Sequence, residues 1–153
     1  MTPLPGTYTL VMFAARGHLI QVGRLGRLPL ERGYYAYVGS AFGPGGIKAR
    51  VRHHLRTAAS PHWHIDYLRP FVDMRAVWYS TDTCPREHCW ASIFQGMPDI
   101  GTPRPGFGAS DCGCASHLFF SGRSPSVGRF RTRLYAAHPG HAPVLRAGAI
   151  DGF

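Results

Sequence analysis

The sequence lacks any long apolar run. No segment approaches the roughly 20 apolar residues that a membrane-spanning helix needs. No apolar stretch follows a charged start either, so we expect no secretion signal. Cysteine is also scarce, with only four residues in the chain. We therefore expect a cytoplasmic protein whose thiols are reduced or bound to metal.

Acidic residues and lysine are few. Eight acidic residues stand against 17 basic ones, the net charge is +9, and Lys48 is the only lysine. Arginine binds phosphate through two parallel hydrogen bonds, so this excess favours a polyanionic partner such as nucleic acid. An arginine bias can also reflect a GC-rich genome, and composition alone does not decide between the two. The sequence also lacks a glycine-rich phosphate loop and a persuasive Ser-His-Asp order.

The first third of the chain favours β-structure. Residues 7–15, 18–25 and 34–39 are rich in strand-forming residues, and Arg16-Gly17 predicts a hairpin turn between the first two runs. A fourth apolar run at 117–120 predicts a short strand near the end. We expect an α/β (α+β) domain with a small, mainly antiparallel three-stranded sheet, flanked by helices and extended by C-terminal strands.

Three helices are predicted after this sheet. The first covers 46–57, because Ile47, Val51 and Leu55 recur at every fourth position. A short helix is expected over 61–69 and a strand over 72–80. A third helix, capped by Asp82 or Thr83 and helped by Pro85, is expected to run to about Met97.

The chain length of 153 residues predicts a single domain. We place that domain at residues 1–137. The hydrophobic pattern weakens after residue 121, and we expect 138–153 to form a loose tail.

Five short motifs and single residues occur in a defined order along the chain. Gly6-Thr7-Tyr8 opens the first strand, and Tyr37-Val38-Gly39 lies in the third. Arg50 and His54 follow at a spacing of four, which places both on one helix face. Glu87 opens a later helix. In this order and spacing the chain resembles the GIY-YIG nuclease superfamily over roughly residues 6–120.

Longer runs favour one branch of that superfamily. The runs GYYAYVGSAFGPGG, WHIDYL and GFGASDCGCASHLFF look like a branch whose members are sometimes fused to archaeal endonuclease III. The match departs from the superfamily pattern where isoleucine is usual, at Thr7 and at Val38. Both departures keep a β-branched side chain.

The resemblance implies a divalent-metal-dependent endonuclease that hydrolyses phosphodiester bonds in DNA. Glu87 occupies the position of the metal ligand, and a lone carboxylate suits Mg²⁺ or Mn²⁺. Arg50 would bind the scissile phosphate. Tyr8 or Tyr37 would act as general base toward water, with His54 supplying positive charge or relaying a proton. Duplex, single-stranded and branched DNA, and RNA, all remain open as substrates.

Further nucleic-acid contacts are predicted beside these residues. Lys48, Arg52 and Arg56 form an i, i+4, i+8 ridge that is suited to backbone phosphates. The same ridge is also what an ordinary solvated helix face presents. Gly39 and Ser40, at the end of the third strand, are also predicted to contact the nucleic acid near the cut site.

One expected residue is missing. Many members of the superfamily have a late asparagine, and this chain contains no asparagine. Ser110, Asp111 or Ser116 could take that role, or the role could be absent. The alternative function is therefore a non-catalytic nucleic-acid-binding module that retains the fold.

A separate cluster of cysteines and histidine leaves a zinc site open. Cys112, Cys114 and His117 could bind zinc with Cys89 or Cys84, which would allow a zinc-stabilised interaction protein. The C-x-C spacing is less typical of structural zinc, so buried thiols and a hydrogen-bonded histidine are the favoured interpretation. In WHIDYL, His64 is a candidate to line the cleft, whereas Trp63, Ile65 and Leu68 are expected to pack in the core.

Overall fold

The computed structural model describes residues 2–56, 59–109 and 113–148. The α+β class predicted from the sequence is confirmed. In chain order the elements are β1 (Gly6–Ala14), β2 (His18–Val22), β3 (Gly26–Leu30), β4 (Gly33–Ala41), α1 (Gly46–Leu55), α2 (His64–Leu68), β5 (Asp73–Ser80), α3 (Glu87–Gly96), β6 (Leu118–Ser121), α4 (Val127–Ala137) and β7 (Leu145–Gly148).

Five strands form one antiparallel sheet in the order β6-β4-β1-β5-β7. The central strand, β1, is apolar at nearly every position because both of its faces are covered. On one face Leu10 and Met12 pack with residues of α1 and α2, and on the other Val11 packs with residues of α3 and α4. The sheet is therefore the middle layer of the domain.

The predicted hairpin at Arg16-Gly17 is wrong. β1 pairs with β4 and β5, whereas β2 pairs with β3 in a separate two-stranded sheet. The burial patterns explain the difference. β2 and β3 bury only alternate residues, as a sheet with one covered face does, whereas β1 buries both faces and needs a neighbour on each side.

The N-terminal segment holds α1 against the sheet. The backbone carbonyls of Thr2 and Leu4 accept hydrogen bonds from Lys48 and Ile47, at 2.9 and 3.0 Å. These bonds satisfy donors that the first turn of a helix otherwise leaves open. Gly46 has φ of 59°, and a Cβ there would overlap the carbonyl of Leu4. The position therefore requires glycine, and it fixes where α1 begins relative to β1.

The predicted helices are confirmed with shorter bounds. The first ends at Leu55 instead of residue 57, and Arg56 is already extended. α3 begins at Glu87, and the residue before it, Arg86, gives no side-chain cap, so the predicted cap at Asp82 or Thr83 is wrong. The Asp82 carboxylate instead accepts hydrogen bonds from the backbone N–H groups of Cys84 and Ala142.

The tail expected over 138–153 is not loose where the structure describes it. Residues 145–148 form β7 and pair with β5. His141 is buried, and its Nε2 accepts a hydrogen bond from Nε1 of Trp90 at 2.9 Å. Residues 149–153 lie outside the described part. None of the described helices is long and apolar enough to cross a bilayer.

Candidate active site

Tyr8 and His54 form a buried hydrogen-bonded pair. β1 directs Tyr8 to the face of the sheet that α1 covers, and the Tyr8 hydroxyl lies 2.7 Å from Nε2 of His54. Only 2% of Tyr8 and 1% of His54 is exposed. Two candidates from distant parts of the sequence therefore meet in one contact.

Gly39 makes room for this pair. Gly39 lies directly opposite Tyr8 in the β1–β4 ladder, and the Tyr8 ring crosses over it. A Cβ on Gly39 would overlap Cζ and the hydroxyl oxygen of Tyr8. The glycine was predicted as a nucleic-acid contact. Its visible role is to leave space for the phenol.

Tyr37 also contacts the His54 ring. The two rings meet edge to face with centroids 6.0 Å apart, and Tyr37 also packs edge to face against Phe107. Tyr37 is half-buried, so it lies nearer the solvent than Tyr8. Both tyrosines of the sequence pattern thus contact the same histidine ring.

Arg50 is held over an aromatic ring. Its guanidinium carbon lies 4.4 Å from the centre of the Trp63 ring, a distance suited to cation–π attraction. Trp63 was expected in the core, but it is half-buried and its ring also contacts His54. Ile65 and Leu68 are fully buried as expected. Trp63 instead helps to position Arg50, the residue that the family resemblance assigns to phosphate binding.

Glu87 reaches the site from the opposite layer. The backbone N–H of Arg86 donates to Oγ1 of Thr7 at 3.3 Å, which ties the start of α3 to the residue next to Tyr8. Oε1 of Glu87 lies 2.7 Å from Nδ1 of His117, and 24% of the Glu87 side chain is exposed. One side of the carboxylate is therefore paired, and the group as a whole remains accessible.

His117 is a site residue that sequence reasoning missed. The sequence indicated only a zinc ligand or, by preference, a hydrogen-bonded histidine, and it did not predict a contact with Glu87. Its backbone carbonyl accepts a hydrogen bond from Val38 at 2.9 Å, and its backbone N–H donates to Phe107 at 2.8 Å. These bonds place the ring between β4 and α3, where it contacts Glu87. The sequence around His117 does not predict its pairing with Glu87, because the two residues are 30 positions apart in the chain.

His64 also lies beside the site. Its Nδ1 accepts a hydrogen bond from the backbone N–H of Gly108 at 2.8 Å, and its ring packs against Phe107. The same glycine lies against the Tyr37 ring. His64 therefore holds the 107–109 loop beside Tyr37, and burial lowers its pKa.

Burial dominates the electrostatics of the site. It raises the pKa of Tyr8 well above its usual value; Tyr37 and Glu87 raise it further, and Arg50 opposes them. Burial and Glu87 likewise raise the pKa of Tyr37, again opposed by Arg50. Burial, aided by His53, lowers the pKa of His54 to about 3. At neutral pH the resting site therefore holds two neutral phenols and a neutral imidazole.

The predicted nucleic-acid contacts lie on α1, just after α1 and on β4. Arg52 and Arg56 are exposed, whereas Lys48 is half-buried, and Arg56 lies just beyond the end of the helix. Ser40 is half-buried beside Gly39. The regular ridge expected from the spacing is thus interrupted at its last member.

The other sequence candidates do not join the site. Ser116 bonds to the backbone of Leu118 through both its donor and its acceptor capacity. Ser110, Asp111 and Cys112 lie outside the described residues. Cys84 is exposed, and Cys89 and Cys114 are half-buried. Within the described ranges, the His, Cys, Asp and Glu residues whose ligand atoms converge include no cysteine.

A separate surface cavity of about 880 Å³ lies beyond the C-terminal end of α3, between residues 97–100 and residues 121–133. Its lining includes Arg123, Arg129 and Arg133 and contains none of Tyr8, Tyr37, Arg50, His54 and Glu87.

A family model described as a domain of unknown function, DUF123, matches residues 7–137. The chain belongs to this family. DUF123 domains are GIY-YIG-like, and the matched region contains all five candidate residues, Tyr8, Tyr37, Arg50, His54 and Glu87. No curated protein and no solved structure matches the chain.

Proposed function

We propose that this DUF123 protein is a divalent-metal-dependent endonuclease that hydrolyses phosphodiester bonds in DNA. The observation that carries the proposal is the contact of Tyr8 and Tyr37 with the His54 ring, with Arg50 and Glu87 close enough to shift the pKa values of both tyrosines. Membership of a GIY-YIG-like family supports it. We further assign the chain to the branch whose members are sometimes fused to archaeal endonuclease III.

Glu87 is the residue that would hold the metal. Its carboxylate is partly exposed and is paired on one oxygen with His117, a partner that orients a ligand. A single carboxylate suits Mg²⁺ or Mn²⁺, which keep several waters. The ion would supply charge stabilisation at the phosphate and the leaving oxygen.

Arg50 would bind the scissile phosphate. The contact with the Trp63 ring restrains the guanidinium before a phosphate binds, which reduces the freedom lost on binding. Tyr37, nearer the solvent than Tyr8, is placed to donate a hydrogen bond to a phosphate oxygen. Both contacts would counter the negative charge that grows in the transition state.

Tyr8 and His54 would act together as the proton acceptor. Neither group suffices alone, because Tyr8 is neutral and the pKa of His54 is about 3. In a coupled transfer the attacking water gives its proton to the Tyr8 oxygen while the Tyr8 hydroxyl proton passes to Nε2 of His54. The attacking hydroxide forms only as it bonds to phosphorus.

A cleavage assay tests the proposal. Labelled duplex, single-stranded and branched DNA, and RNA, are incubated with protein and Mg²⁺ or Mn²⁺. Glu87→Gln and Tyr8→Phe should each reduce the cleavage rate by about 10²-fold or more. The matched control is Glu31→Gln, since Glu31 is the only other glutamate in the chain and is exposed. It should cleave like the wild type.

The alternative function is a nucleic-acid-binding module without catalysis. It is favoured by the missing asparagine and by the bonding of Ser116 to Leu118, which leaves that candidate substitute unavailable. Tight DNA binding without metal-dependent cleavage of any substrate would support the module and contradict the nuclease. Equal cleavage by wild type and Glu87→Gln would point to a contaminating nuclease.

A further inference from the structure

Three potential metal ligands converge behind the cleft. His53 and His54 end α1, and Asp66 lies in α2; one ligand atom from each falls within 4.8 Å of the others. His53 Nε2 already lies 3.0 Å from Oδ1 of Asp66. Neither His53 nor Asp66 has a part in the proposed hydrolysis, so the cluster needs its own explanation.

One nitrogen of this cluster is buried without a partner. Nε2 of His54 is bonded to Tyr8, whereas Nδ1 of His54 is buried and makes no hydrogen bond. A buried polar atom is normally paired, because leaving it unpaired costs free energy. Since Tyr8 occupies Nε2, Nδ1 is the His54 atom that is available to a ligand from outside the chain.

We propose that His53, His54 and Asp66 form a second metal site, which binds a cation of the zinc class. A site of two imidazoles and one carboxylate suits Zn²⁺ or Co²⁺ better than it suits Mg²⁺, because Mg²⁺ is bound mainly by oxygen ligands. Three protein ligands also leave one tetrahedral position for water. The site is distinct in its ligand chemistry from the Mg²⁺ or Mn²⁺ position at Glu87.

The neighbourhood constrains how the site would form. Ligand atoms on a tetrahedral zinc ion, with bonds of about 2.0–2.1 Å, lie roughly 3.3 Å apart, and the Nε2 of His53 and Oδ1 of Asp66 are already 3.0 Å apart. His53 is 40% exposed, so its side chain is open to solvent on one side. Asp66 is oriented by backbone N–H donors from His62 and Trp63 on its other oxygen. Arg50 and Arg69 are the nearby positive charges that oppose a cation.

A cation at this site would join α1 to α2 and fix the ring proton of His54. With Nδ1 bound to metal, the neutral imidazole carries its proton on Nε2, so Nε2 cannot accept the proton of Tyr8. Zinc would therefore inhibit cleavage. This consequence rests on the proposed function, whereas the metal site itself does not.

Metal binding to chelator-stripped protein tests the site. Wild type, His53→Gln and His62→Gln are titrated with Zn²⁺ by calorimetry and with Co²⁺ by visible absorption. His53→Gln should lose one equivalent or bind it at least about tenfold more weakly, as loss of a ligand requires. His62→Gln removes an exposed neighbouring histidine outside the cluster and should bind like the wild type.

The Co²⁺ spectrum separates this site from the cysteines. The proposed ligands contain no sulfur, so the bands lost in His53→Gln should lack thiolate charge transfer. Identical titrations of wild type and His53→Gln would overturn the proposal. Glu87→Gln should abolish cleavage and keep the zinc equivalent, so failure of the nuclease and failure of this site give different results.

Discussion

At the scale of single residues, the site depends on one missing side chain. Gly39 faces Tyr8 across the β1–β4 ladder, and the absence of a Cβ lets the phenol lie over the strand and reach His54. In the sequence, this glycine is simply the third residue of the motif Tyr37-Val38-Gly39. Its physical role is visible only once the two strands are in register.

Gly39→Ala should therefore impair both stability and cleavage. The added methyl displaces the Tyr8 ring, which is an overpacking change worth about 1–3 kcal/mol of unfolding free energy. Denaturant unfolding and the cleavage rate measure the two effects. Gly43→Ala is the control, because a Cβ there meets nothing within 4 Å. Equal stability of the two variants would contradict the steric argument.

His54 should make stability depend on pH. Its folded pKa is about 3, whereas an unfolded histidine has about 6.5. Between these values the unfolded chain binds a proton that the folded protein does not, so the unfolding free energy falls as pH drops from about 6.5. The slope is at most about 1.4 kcal/mol per pH unit. Above pH 6.5 the contribution is constant.

Urea unfolding of metal-free protein between pH 4 and 6.5 measures this slope. His54→Gln should flatten it, because glutamine does not titrate. His88→Gln, an exposed histidine elsewhere, should leave it unchanged. A slope that survives in His54→Gln would assign the pH dependence to other groups.

At the scale of elements, the C-terminal segment supports the start of α3. Asp82 lies in the β5–α3 loop and accepts from the backbone of Ala142, while His141 accepts from Trp90 within α3. The same segment continues into β7, which pairs with β5. The region that the sequence left as a loose tail thus helps to hold the helix that carries Glu87.

His141→Ala should destabilise the domain by about 1–3 kcal/mol, because it leaves the buried Nε1–H of Trp90 unpaired. Thermal or denaturant unfolding checks the value. His138→Ala is the neighbouring control, and its half-buried side chain should matter much less. Similar losses in both variants would mean that the hydrogen bond to Trp90 contributes little.

At the scale of the whole molecule, the chain is strongly basic. The net charge of +9 favours any polyanion, and Arg52 and Arg56 add exposed positive charge on α1 and just after it. On the proposed function, this positive charge would contact backbone phosphates outside the cut site.

DNA affinity should fall steeply with salt because phosphate contacts release counterions. Arg52→Gln should lower the slope of log K against log salt by about 1 and weaken all sequences alike. Arg75→Gln is the control, since Arg75 is exposed at the end of the sheet away from Tyr8. Fluorescence anisotropy over a salt series measures both. An unchanged slope in Arg52→Gln would exclude this residue from the contact surface.

The sequence by itself determined most of the elements up to residue 121 and the candidate residues, whereas β3, α4 and β7 were not predicted. Periodicity predicts α1, α3 and most strands, since buried faces impose a regular spacing of apolar residues. Order along the chain also selects Tyr8, Tyr37, Arg50, His54 and Glu87. Only the tertiary structure decided the partners, including His117 beside Glu87, Trp63 under Arg50, and β4 and β5 on either side of β1. Local propensity contains no information on such pairs, because contacts between distant residues are set by how the layers pack.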